Sequence, residues 1–171
     1  MKRLKLLAAA TGSILLLIGM CSCKKDGVYS YTGSYSFKTS GTISVDREFT
    51  DEEFESDQVT LPLTPESGQL NILRANDTDV ILTFNVIGGD AVVMNGTINS
   101  DNEIELEKNK RIITVKDGAV NPQFNVTVSG SGIKYDDVIV FYLTYSGQGS
   151  STLRNYSITA SNIQCVAKLN Q

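Results

Sequence analysis

The fold is decided by residues 29–45, which read YSYTGSYSFKTSGTISV. Small or polar residues occupy nearly every even position, whereas most odd positions are apolar or aromatic, namely Tyr29, Tyr31, Tyr35, Phe37, Ile43 and Val45. A period of two predicts β-structure with one buried face and one wet face. In a hairpin with a two-residue loop the apolar set would change parity at the turn, and here it does not. The segment is therefore predicted to be either one long strand that bends at Gly33 and Gly41, or a hairpin with an odd-numbered loop.

The same alternation continues to the C terminus in short segments separated by turn-rich spacers. Residues 108–110 and 130–132 are predicted spacers, and residues 138–145 a strand that is apolar on both faces. The odd step from Ile158 to Ile163 predicts a β-bulge or a corner near residues 160–162. The other predicted inward positions are Leu70, Ile72, Val80, Leu82, Phe84, Val86, Val92, Met94, Ile98, Ile104, Leu106, Ile113, Val115, Phe124, Val126, Val128, Tyr156 and Cys165.

These segments predict an all-β fold, an antiparallel up-and-down meander of about eight to ten strands. A sheet of that size must close into a barrel or fold over into a sandwich to protect its edges. Short connections between sequential strands favour the barrel, with a β-sandwich as the alternative.

The N terminus has the pattern of a bacterial lipoprotein signal. Basic residues precede an apolar run, and small residues precede Cys23. Ser22 stands before Cys23 but bulky Met20 stands before Cys21, so Cys23 is the predicted lipidated residue. We expect residues 1–22 to be removed, residues 23–28 to form an anchored spacer, and residues 29–171 to form a single domain. Acyl chains on Cys23 would attach the protein to a membrane.

The composition argues against some classes of partner and excludes some kinds of catalytic or metal site. The signal segment holds three of the fifteen basic residues and none of the nineteen acidic ones, which leaves a net charge of −7 on the remainder. That sign argues against nucleic acid as a partner. The chain has no His, so His-activated nucleophiles and His-based zinc sites are excluded. With Cys23 acylated, Cys165 would have no disulfide partner, and it is interpreted as a small buried hydrophobe.

Two carboxylate-rich segments are candidate sites. Asp136 and Asp137 are adjacent, so on a strand they would face opposite sides, and a hairpin tip is the favoured interpretation over a glycosidase pair. Residues 46–57 carry seven carboxylates, which either bind Ca²⁺ or form a solvated turn. The turn is favoured because the order of an EF-hand loop is missing. We therefore expect no catalytic residues, no metal and no cofactor.

The chain resembles the lipocalin-like, or calycin-like, lipoproteins of Bacteroidota. The resemblance lies in the charged residues after Cys23 and in Gly33-Ser34-Tyr35 at the start of a long first strand, where lipocalins proper have Trp in place of Tyr35. It implies an outer-membrane protein, facing the periplasm or the cell surface, whose barrel holds a small apolar or amphipathic ligand. Alternation marks the candidate lining residues as Phe84, Met94, Phe124, Phe141 and Tyr142. The alternative is a packed, structural lipoprotein that serves as an accessory to an outer-membrane protein assembly.

Overall fold

The computed structural model describes residues 27–49, 56–99 and 103–170. The predicted signal, Cys23 and residues 50–55 of the acidic segment lie outside these residues. The elements are α1 Val28–Tyr31, β1 Gly33–Phe49, β2 Asp57–Pro62, β3 Ser67–Arg74, β4 Asp79–Val86, β5 Ala91–Ile98, β6 Glu103–Thr114, β7 Gln123–Tyr135, β8 Val138–Ser150 and β9 Arg154–Leu169. Within the described residues, no helix is long and apolar enough to cross a membrane.

The strands form a closed antiparallel barrel, which confirms the predicted fold class and removes the sandwich alternative. Sequential strands pair in order from β3 to β9, and β9 pairs with β1 along almost its whole length. The first half of β1 pairs with β3 and the second half with β2. The barrel thus has eight strands, β1 and β3–β9, with β2 as an extra strand on the upper half of β1. We call the end where β1 begins the lower end, and the end where β1 stops the upper end.

The predicted long first strand is confirmed. Tyr35, Phe37, Ile43 and Val45 all point into the core from the odd face. Gly41 lies where β1 changes partner from β3 to β2, with φ at +151°. A Cβ at that position would stand 2.7 Å from the Cα of Ile163 on β9, so only glycine permits this close approach.

The predictions for residues 28–31, 108–110 and 130–132 were wrong. Tyr29 and Tyr31 belong to α1, because a turn closes from the amide of Ser30 to the carbonyl of Gly27 at 3.0 Å and directs Tyr31 into the core. Val28, assigned to the spacer, is buried as well. Residues 108–110 lie within β6 and residues 130–132 within β7, so neither is a spacer.

Aromatic side chains are among the largest groups that fill the barrel interior. Tyr31, Tyr35, Phe124, Phe141 and Tyr156 are almost fully buried. Two of these rings lie over glycines of neighbouring strands, with Phe141 paired to Gly132 and Phe124 paired to Gly149. Gly132, which lies in the predicted spacer 130–132, and Gly149 therefore make room for aromatic rings across the sheet.

Candidate functional site

The barrel wall opens on one side at its upper end. Strands β3, β4 and β5 have eight residues each, whereas β6 to β9 and β1 have 12 to 17. Strands β5 and β6 pair only from Gly96 to Ile98, so above this row their backbones separate. A side-chain hydrogen bond of 2.6 Å from the Asn109 amide to the Val93 carbonyl crosses the gap. We call this opening, between the residue 63–66 connector and the upper part of β6, the lateral mouth.

An ion pair lies at the lateral mouth. Arg111 donates to Glu66 through both terminal nitrogens, with Nη1 3.0 Å from Oε2. Glu66 is held by its backbone, because its amide donates to the Thr39 hydroxyl at 2.9 Å and its carbonyl accepts from the Thr39 amide at 2.7 Å. Burial lowers the pKa of Arg111, but the hydrogen bonds and charge of Glu66 together with the interactions of Tyr145 outweigh that effect, and the pKa lies above its ordinary value. The two side chains therefore form a fixed ion pair at the lateral mouth, which we call the charged threshold.

Two neighbouring spaces share lining residues at this threshold. The outer space has a volume of about 120 Å³ and is lined by Thr39, Ser40, Leu63, Thr64, Glu66, Ile113, Thr114, Tyr145 and Ile163. The inner space has a volume of about 30 Å³, and its lining is mainly apolar. It is lined by Phe37, Thr39, Glu66, Phe84, Val86, Val92, Met94, Arg111, Val128, Leu143, Tyr145 and Cys165. Thr39, Glu66 and Tyr145 border both spaces, and burial raises the pKa of the Tyr145 hydroxyl, which therefore stays protonated and able to donate.

The structure does not bring the five candidate lining residues together in one place. Phe84 and Met94 line the inner space. Phe141 stands behind Phe84, with ring centroids 6.2 Å apart, and Phe124 packs on Tyr156 elsewhere in the core, at 5.5 Å. Tyr142 lies on the outer surface with 53% of its area exposed, so its assignment to the interior was wrong. Neighbouring residues on a strand face opposite sides, and Phe141 takes the inward position.

The largest polar feature that the sequence analysis missed is centred on Asp117. This carboxylate is buried and accepts hydrogen bonds from Arg47 at 3.0 Å, from Arg154 at 2.9 Å and from the Tyr156 hydroxyl at 2.9 Å. Arg47 also pairs with Asp57 on β2. Burial raises the pKa of Asp117, but the hydrogen bonds from Arg47 and Tyr156 together with the charges outweigh it, so the pKa lies below its ordinary value. The cluster closes the upper end and ties β1, β2 and β9 to the turn after β6.

The alternation of each strand places both arginines on its inward face, and this could have been recognised from the sequence. Arg47 follows the inward positions Ile43 and Val45 on β1, and Arg111 has the same parity as Ile113 on β6. An arginine in an inward position requires a carboxylate partner, because an unpaired buried charge is strongly unfavourable. The sequence offered no comparable signal for Glu66 or Asp117, which lie in connecting segments.

The other side chains that could have been reactive, Cys165, Asp136 and Asp137, lie in the core or in a turn. Cys165 is fully buried on β9, as interpreted from the sequence, and burial raises its pKa to about 12. Asp136 and Asp137 form the tip of the β7–β8 hairpin, with Asp136 at φ +52°, which confirms their interpretation as a turn. Across residues 27–49, 56–99 and 103–170, no group of three metal-ligating residues is placed to hold an ion. The Ca²⁺ question for residues 46–57 falls partly outside these ranges, at residues 50–55.

No protein-family model matches this chain, and no curated protein sequence does either. Among solved structures, it is similar to EF1p2_mFAP2b bound to DFHBI, with 11% identity and a TM-score of 0.42, over 81% of this chain and 93% of that one. It is also similar to a redesigned β-barrel, b11L5F_LGL, with 9% identity and a TM-score of 0.36, over 85% of this chain and 96% of that one. Similarity at this level says nothing about what the chain binds.

Proposed function

We propose that this protein is a lipid-anchored, non-enzymatic binding module of the outer membrane that takes a small amphipathic molecule at the lateral mouth. The observation that carries the proposal is the Arg111–Glu66 pair at the threshold of an apolar cavity. A site with apolar walls and a few fixed polar groups is the usual form of a small-molecule pocket. The proposal places the ligand at the side of the barrel, whereas the resemblance to lipocalins implied the centre.

The two spaces define what such a ligand looks like. Its polar end would lie in the outer space, where Glu66 accepts hydrogen bonds and the Tyr145 hydroxyl can donate or accept them, and Arg111 would lie beside it at the border of the inner space. Its apolar end would contact Phe84 and Met94. The inner volume of about 30 Å³ holds only about two waters, since one needs roughly 10–15 Å³. A longer apolar group must therefore displace the flexible Met94 side chain.

Binding at the lateral mouth can be tested with two adjacent residues of β5. Val92 borders the inner space, whereas Val93 faces solvent with 53% of its area exposed. We expect the wild-type protein to bind 1-anilinonaphthalene-8-sulfonate saturably at one site, since the probe joins an anionic group to an apolar ring system. Val92→Arg should abolish this binding and Val93→Arg should preserve it. Thermal unfolding of both variants checks that the fold survives.

The competing function is a packed structural component that serves an outer-membrane protein partner. The aromatic filling of the interior favours it, because eight-stranded barrels are either filled or hollow. A well-folded wild type that does not bind the probe would select this alternative, as would equal binding by the two arginine variants. Turnover of an ester or glycoside that purifies with the protein would contradict both functions.

Anchoring is tested separately from binding. If Cys23 carries the lipid, Cys23→Ala should leave an unprocessed precursor and abolish membrane association, because acyl chains are the only strong attachment proposed. Cys21→Ala should be processed and fractionate with membranes as the wild type does. The opposite pattern would move the lipid to Cys21.

A further inference from the structure

Strands β7, β8 and β9 carry an apolar face on the outside of the barrel near its lower end. It consists of Ile133, Tyr135, Val138, Val140, Tyr142 and Val166, and we call it the β8 face. Tyr135 pairs with Val138, and Val140 pairs with both Ile133 and Val166. Tyr142 follows Val140 on the same side of β8 and pairs with Ser131 and Gln164. Tyr135, Tyr142 and Val166 are exposed to solvent. A contiguous apolar surface of this kind marks an interaction site.

Lysines border the β8 face. Lys38 on β1 pairs with Val166, and Lys168 on β9 pairs with Val138. Both side chains are exposed. Tyrosines with an apolar body and a polar tip, flanked by lysines that keep their charge in water, are the side chains that suit a membrane–water interface.

The chain enters the barrel at this same lower end. The Ser30 carbonyl of α1 accepts a hydrogen bond from Lys134 of β7, which pairs with the inward Ile139, and the Tyr29 ring of α1 lies against Arg74 of β3. Gly27 is one turn earlier, since its carbonyl accepts from the Ser30 amide at 3.0 Å. Only four peptide steps separate Cys23 from Gly27, and four extended residues reach at most about 14 Å. Lipid on Cys23 therefore holds the lower end close to the bilayer.

We propose that the β8 face lies on the surface of the membrane to which Cys23 is anchored, so that the barrel is tilted and does not stand on its lower end. This inference rests on the anchoring part of the proposed function and is independent of binding at the lateral mouth. A tilt towards β8 turns Asp77 and Asp79 of the β3–β4 turn away from the lipid, while Asp136 and Asp137 at the β7–β8 tip stay beside the β8 face, where Asp137 lies 4.0 Å from Lys168.

The absence of Trp from the chain allows a direct test. Tyr142→Trp places a single indole on the β8 face, and Leu73→Trp is the matched control. Leu73 is 62% exposed, near the same end of the barrel, and three strands away from β8 in the order β8, β9, β1, β3. The acylated full-length variants are reconstituted into phosphatidylcholine vesicles with brominated acyl chains, and the quenching of Trp fluorescence is measured. Val166→Trp serves as a second reporter if Tyr142→Trp does not fold.

We expect quenching at position 142 to exceed that at position 73 by roughly twofold or more, because an interfacial apolar face sinks about 5–10 Å below the headgroups. Equal quenching, or stronger quenching at position 73, would overturn the proposed tilt. A chain that mass spectrometry shows to be unacylated, and that does not float with vesicles, would overturn both the anchoring and this inference. Probe binding at the lateral mouth would be unaffected by either result, so the failures can be told apart.

Discussion

Replacement of Asp117 by Asn should destabilise the barrel more than replacement of any exposed aspartate. The side chain of Asp117 is 8% exposed, and those of its partners Arg47 and Arg154 are 17% and 28% exposed. Removal of one member of a buried ion pair costs about 3–5 kcal/mol, because the remaining charge is left without a partner. Arg47 keeps Asp57 and Arg154 is partly hydrated, so we expect a loss near the lower limit, about 3 kcal/mol.

The assay is thermal or urea unfolding of the wild type, of Asp117→Asn and of a control variant, Asp136→Asn. For a chain of this length about 3 kcal/mol lowers Tm by roughly 6–12 °C. The matched control is Asp136→Asn at the exposed β7–β8 tip, where φ is +52° and Asn is well tolerated. We expect that control to change the free energy of unfolding by less than about 0.5 kcal/mol.

The dependence on pH gives an independent check. The pKa of Asp117 in the folded protein lies below its ordinary value, so its contribution to stability is fully present above the unfolded pKa of about 3.9. That contribution is lost as the pH falls through the lower, folded pKa. The difference between wild type and Asp117→Asn should therefore be constant near neutrality and shrink below about pH 4. If Asp117→Asn is as stable as Asp136→Asn at pH 7, the network is not a stabilising element and the reasoning is refuted.

Two further predictions concern the core. A Cβ at Gly149 would stand 2.6 Å from the ring of Phe124, so Gly149→Ala should cost about 1–3 kcal/mol in urea unfolding, whereas Gly89→Ala, whose Cβ would stand 3.4 Å from Val86, should be close to neutral. Comparable losses at the two glycines would contradict the assigned packing. Burial raises the pKa of Cys165 to about 12, so a maleimide should label it only in denaturant. Labelling of the native protein at neutral pH would show that β9 opens.

The alternation of side chains predicted most of the fold, because it reports directly which face of a strand is buried. The odd parity of residues 29–45 excluded a hairpin with a two-residue loop, and of the two remaining alternatives the structure contains the long strand, from Gly33 onward. The parity change between Ile158 and Ile163 likewise corresponds to the irregular pairing of β1 with β9 between Ala160 and Ile158. Both inferences depend on local geometry alone.

The errors arose where local pattern and tertiary contact disagree. Residues 130–132 look like a turn, but Gly132 lies in β7 beneath the ring of Phe141. Strand β8 is apolar on both faces, so its sequence does not show that Phe141 is the inward residue and Tyr142 the outward one. The lateral mouth depends on differences in strand length and on where β5 and β6 separate, and no single segment of sequence contains that information.

Closure of the sheet by its first and last strands has a consequence for the order of folding. Strand β1 pairs with β9 across more than one hundred intervening residues, from Tyr35 with Leu169 to Phe49 with Arg154. During synthesis, β1 can pair with β2 and β3, but its other edge has no partner until the end of the chain emerges. Contacts this distant in sequence slow folding, and an unpaired long strand invites association with other chains. The nascent protein is thus most vulnerable to aggregation in the interval before its last sixteen-residue strand is complete.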